Sequence, residues 1–73
     1  MNYHYSLLIQ WSEEDQLYLV TIPEFVGLIK QPSTHGQTYE EAIEMAQDCI
    51  EVCLDYFEQQ GITPPAPQVL EMA

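Results

Sequence analysis

The segment from Thr38 to Gly61, TYEEAIEMAQDCIEVCLDYFEQQG, limits the possible folds of this chain more than any other. Ala42, Ile43, Ala46, Cys49, Ile50, Cys53, Leu54 and Phe57 recur at steps of three and four residues, the period of one buried helix face. A capping box starts that helix: Thr38 is placed to accept the backbone N–H of Glu41, and the Glu41 side chain to reach back to Thr38. Gly61 suits the left-handed turn that ends it. Gly36, two residues before the cap, reads as the flexible point where the chain leaves the preceding structure. A chain of 73 residues buries only about 60% of its unfolded surface, so its core is thin and a homo-oligomer is expected.

The remainder has the period of strands. Tyr3, Tyr5, Leu7, Ile9 and Trp11 alternate with Asn2, His4, Ser6, Leu8 and Gln10, and Gln16 to Ile22 is rich in β-branched and aromatic residues until Pro23. With the polar turn Ser12-Glu13-Glu14-Asp15 between them, these runs predict an antiparallel hairpin. Leu17, Leu19 and Thr21 face one side and Tyr18, Val20 and Ile22 the other, as in a strand covered on both faces or seated against a partner. Leu28 to Ser33 predicts a short third strand, limited by Pro32. After the helix, residues 62–67 form a proline-rich connector and residues 68–72 a possible last strand. The fold class is therefore α+β: one domain over residues 1–73, a small antiparallel sheet with one packed helix, in the order β-β-β-α-β.

Twelve Asp or Glu residues stand against Lys30 alone, a formal net charge of −11. Such a chain repels phosphate backbones, so direct nucleic-acid binding is not expected, and a basic protein is the partner that the charge would favour. Glu40, Glu44, Asp48, Glu51, Asp55 and Glu58 lie on the outer helix face with no Lys or Arg to pair with. Sequence hydropathy predicts no membrane span, and Met1-Asn2-Tyr3-His4 lacks a signal-peptide pattern, which together predict a cytoplasmic protein.

Catalysis is not expected. The two predicted strands contain no Asp or Glu, so no carboxylates converge from a sheet to hold divalent metals. His4, His35, Cys49 and Cys53 supply the four ligands that a structural zinc needs, but both cysteines fall on the apolar stripe, where free cysteine acts as a small hydrophobe. No cofactor or metal is predicted. Trp11 and Phe25, at strand ends, are the aromatic candidates for a partner-binding patch.

The ordered combination Ile22-Pro23-Glu24-Phe25-Val26-Gly27, then Gly36-Gln37-Thr38-Tyr39-Glu40-Glu41-Ala42, then the helix with Ala46 and Ile50, resembles the N-terminal domain of HicB-type antitoxins. The resemblance extends from about Tyr3 to Pro67 and implies a partial RNase H-like fold. It also implies that the domain binds a small basic HicA-type toxin that cleaves messenger RNA and neutralises it by covering its active site. Partner contacts would then come from Trp11, Phe25, Glu40, Glu44, Asp48, Glu51, Asp55 and Glu58. The sequence departs from the family in the long stretch Leu28 to His35, in Gln37 where an aspartate is common, and in having no C-terminal DNA-binding domain, so promoter binding by this chain alone is not expected. The alternatives are a stand-alone homo-oligomeric bacterial protein with no toxin, and a degenerate nuclease.

Overall fold

The computed structural model describes residues 3–71. Three strands, β1 (Leu8–Ser12), β2 (Leu17–Thr21) and β3 (Thr34–Gly36), form an antiparallel sheet in that order, and α1 (Tyr39–Gln59) crosses one face. A 3-10 turn (Pro23–Phe25) leads out of β2. The predicted hairpin is present, with Leu8 opposite Thr21 and Ser12 opposite Leu17. The chain turns between its strands through Ser12, whose carbonyl accepts the Gln16 N–H at 2.8 Å and whose hydroxyl accepts the Asp15 N–H at 3.2 Å.

The first strand is shorter than its alternation. Residues 3–7 keep the period of two, and Tyr3, Tyr5 and Leu7 do pack against the core, but they join no ladder because β2 ends at Thr21, just before Pro23. The third strand is displaced to Thr34–Gly36 from the expected Leu28 to Ser33. Where Pro32 can offer no donor, the Gln31 side chain substitutes for a strand: its amide donates to the Ile22 carbonyl at 3.0 Å, and its oxygen accepts the Ile22 N–H at 3.3 Å. Ser33 N–H then donates to the Val20 carbonyl at 2.9 Å. Residues 68–71 form no strand, and Met72 lies outside the described residues.

Both ends of α1 follow from the sequence, with one change. Thr38 accepts the Glu41 N–H at 3.0 Å, but the Glu41 carboxylate reaches one residue further back, to the Gln37 N–H at 2.9 Å. At the other end Gly61, at φ +70°, turns left-handed, so that Ile62 N–H meets the Phe57 carbonyl at 2.8 Å and Gly61 N–H the Glu58 carbonyl at 3.2 Å. That is a Schellman closure, completed by Ile62 packing into the cluster that contains Phe57.

The core is a wedge. At the amino-terminal half of α1 the small residues Ala42 and Ala46 lie on Val20, so the helix axis comes close to the sheet. Gly36 is there for that approach and not for flexibility: it is buried, its φ is not positive, and an added Cβ would stand 2.4 Å from the Ala42 nitrogen. At the carboxyl-terminal half the sheet gives way to the extended segment and the 3-10 turn, and larger side chains, Ile50 and Phe57 with Ile22 and Phe25, fill the wider gap. Phe25 and Phe57 are fully buried and stack edge-on at 5.2 Å; each contributes about 2–3 kcal/mol by leaving water.

No basic residue occupies the last turn of α1, where Glu58 opposes the helix dipole. Glu58→Lys should stabilise the domain by about 0.5–1 kcal/mol, read as a rise of several degrees in thermal midpoint. Added salt should raise the midpoint of the parent chain more than that of the variant, because it screens the like charges that the variant removes.

Candidate binding surface

Helical residues advance by about 100° each, so Glu40, Glu44, Glu51, Asp55 and Glu58, at steps of four, seven, four and three, share one stripe with Asp48 on its border. All six are exposed. The buried positions Ala42, Ala46, Ile50, Cys53 and Phe57 occupy a different face, the one held against the sheet. Packing therefore aims the whole acidic stripe at solvent, and no Lys or Arg occurs anywhere in α1 to neutralise it.

Trp11 is 46% exposed and lies edge-on to Tyr18 at 5.1 Å; Tyr18 in turn lies 4.4 Å from Tyr39. The three rings make a continuous row from β1 across β2 to the first turn of α1, and Tyr39 is 60% exposed. Burial, then the neighbouring Tyr39, raise the Tyr18 pKa above the ordinary tyrosine value. Phe25 belongs elsewhere. It is fully buried between Tyr5 and Phe57 and presents nothing to a partner, because the 3-10 turn folds it inward instead of leaving it at a free strand end.

Sequence reasoning missed Glu24. Its side chain is buried beneath the 3-10 turn, where its carboxylate accepts the Ser6 N–H at 3.0 and 3.1 Å, the Ser6 hydroxyl at 3.1 Å and the Gln68 N–H at 2.9 Å. Burial alone would raise its pKa, but the Gln68 and Ser6 hydrogen bonds outweigh that and hold it below the ordinary glutamate value. Glu24 thus ties both extended segments, before β1 and after α1, to the turn between them. Tyr5 makes a second tie, donating to the Pro65 carbonyl at 2.8 Å. The one available signal was position: a lone acid between Pro23 and Phe25 inside an apolar neighbourhood.

His4 and His35 are exposed, on the extended amino-terminal segment and on β3, whereas Cys49 and Cys53 touch at 3.9 Å on α1. The described residues contain no group of three or more His, Cys, Asp or Glu placed to hold a metal ion. Burial, and then Cys49, push the Cys53 thiol up to about 11, so it is protonated at neutral pH and a poor nucleophile. At pH 8 a thiol reagent should label the folded chain once at most, at half-buried Cys49, and twice in denaturant; rapid native labelling of Cys53 would contradict this burial. The face of the sheet bearing Leu19 and Thr21 holds a cleft of about 310 Å³ lined by Gln10, Trp11, Ser12, Leu19, Thr21 and Pro32. Its lining offers no charged group.

No family model, curated protein or solved structure matches this chain. Among the described residues no helix is long and apolar enough to cross a membrane.

Proposed function

We propose that this chain is a HicB-like antitoxin domain that binds a small basic RNA-cleaving toxin and covers its active site, without catalytic activity of its own. The observation that carries the reading is the solvent-facing stripe Glu40, Glu44, Asp48, Glu51, Asp55 and Glu58, left without any cation in its helix. Unpaired like charges on one face destabilise a helix, and a basic partner converts that cost into attraction. The β-β-β-α order and the turn at Pro23 to Gly27 agree with the resemblance noted in the sequence, and the RNase H-like relationship is part of the proposal. Charge of this kind acts chiefly on association rate and on rejection of wrong partners, while affinity rests on apolar contacts, here with the exposed Trp11 among them.

The test uses a basic protein of roughly 60–80 residues, if one is encoded in the adjoining reading frame, a size and charge that suit steering by an acidic face. Replacing Glu44, Glu51 and Asp55 together by lysine should slow its association about tenfold or more at low salt, with the gap closing as salt rises. Unchanged kinetics would remove the steering role.

A second reading is favoured by β1. Among the described residues, Leu8–Ser12, sequence LIQWS, pair with β2 on one side only and include no charge and no proline to discourage pairing on the other. A stand-alone homo-oligomer would use that edge. Light scattering of the isolated chain separates the two: a concentration-independent dimer lost on Ile9→Pro supports self-pairing, and a monomer supports the basic partner.

A further inference from the structure

We infer that α1 carries a second docking element beside the acidic stripe: a seam of Met45, Cys49, Val52 and Tyr56 that receives one basic amphipathic helix of a protein partner. Met45, Val52 and Tyr56 are 40%, 68% and 48% exposed, and half-buried Cys49 lies between them. The steps alternate four, three and four residues, the heptad pattern with which one helix presents a straight apolar line to another. Apart from half-buried Cys49, which packs against the core cluster, the core does not use this line. Ala42, Ala46, Ile50, Cys53 and Phe57 already bury the face against the sheet, and the seam runs along its flank.

The border of the seam identifies its occupant. On the side away from the core every second turn offers an acid, Asp48 beside Cys49 and Asp55 beside Tyr56. A helix laid on the seam meets those carboxylates with its own flanking residues, so lysine or arginine there gives attractive pairs and acid gives repulsive ones. A second copy of this chain is the wrong occupant: antiparallel pairing through the seam sets Asp48 and Asp55 against their own equivalents, between molecules of net charge −11. The acidic stripe then steers the partner and the seam holds it. This deepens the proposed function by naming the partner's docking element, and rests on that reading only for the partner's identity.

The probe is a synthetic peptide of about three heptads, leucine along its seam and lysine on its flanks, titrated into the full chain while backbone amide shifts are followed. Shifts should concentrate on residues 45–56. Val52→Asp, at a 68% exposed position and with an unchanged circular dichroism spectrum as the check on its fold, should weaken binding roughly tenfold or more, as central apolar contacts do; Leu70→Ser, at a residue 98% exposed elsewhere, should not change it. A peptide of equal composition with its leucines shuffled off the seam should bind about tenfold more weakly. Unchanged binding by Val52→Asp, equal binding of the shuffled peptide, or dimerisation of the free chain through the seam would overturn the proposal. Failure of the adjoining-frame protein to bind, with the peptide still seated on the seam, would count against the antitoxin reading and leave the seam standing; binding of that protein unaffected by Val52→Asp would do the reverse.

Discussion

Gly36→Ala should cost this domain about 3 kcal/mol or more, a large share of its stability, since a chain of this size has in total roughly 0.05–0.15 kcal/mol per residue. A methyl group at Gly36 would stand 2.4 Å from the Ala42 nitrogen and 2.7 Å from its Cα, and both are backbone atoms of the first turn of α1. No side chain can rotate out of the way. To make room the helix must lift from β3, and the close contact of Ala42 and Ala46 with Val20 goes with it. Gly27→Ala provides the control. Gly27 sits at φ +86° with nothing within 4 Å of an added Cβ, so alanine there meets only backbone strain, on the order of 1 kcal/mol. Urea unfolding should show a transition close to the parent's for Gly27→Ala, and for Gly36→Ala a midpoint far lower, down to a chain already unfolded in buffer. Equal midpoints for the two would show that the helix does not approach the sheet as described.

Glu24→Gln should cost about 2–3 kcal/mol. The amide keeps the shape but loses the charge: one carboxylate oxygen takes the Ser6 hydroxyl and both the Ser6 and Gln68 N–H groups, which an uncharged amide oxygen there holds more weakly, and the NH₂ then faces the Ser6 N–H that the second oxygen shares. Hydrogen exchange should quicken first at those two amides. The pH dependence has a definite sign. Because the folded pKa of Glu24 lies below the unfolded value, its contribution is present in full above the unfolded value near 4.5 and is lost as pH falls through the folded one. The stability difference between parent and variant should therefore be constant at neutral pH and shrink on acidification below about 4.5. A difference that grows with acid would reverse the assignment.

These two residues mark what could be read from the sequence and what could not. The helix was legible to its ends, because capping and periodicity are local: Thr38 and Gly61 act on backbone within a few residues of themselves. The hairpin was legible for the same reason. The third strand was not, because the pairing of Ile22 was taken over by the Gln31 side chain, and nothing local to Gln31 announces it. Gly36 reads locally as a flexible point, since a close approach depends on which element lies opposite. The role of Glu24 is not legible locally, because its partners, Ser6 and Gln68, lie 18 and 44 residues away. On the candidate surface the acidic stripe followed directly from helical spacing. Phe25 did not, since whether an aromatic after a strand turns in or out is decided by the packing of Tyr5 and Phe57 around it. Met45, Cys49, Val52 and Tyr56 carried a readable alternation of four- and three-residue steps, obscured by the stronger stripe next to it.

We propose that this chain works by binding and masking a basic ribonuclease. The most direct measurement is cleavage of a messenger RNA by the purified basic protein from the adjoining reading frame, titrated with this chain. The expected result is loss of cleavage at a fixed stoichiometry, with the chain alone inactive in magnesium or manganese and Val52→Asp requiring higher concentrations. Undiminished cleavage at saturating chain, or RNA cleavage by the chain itself, would contradict it.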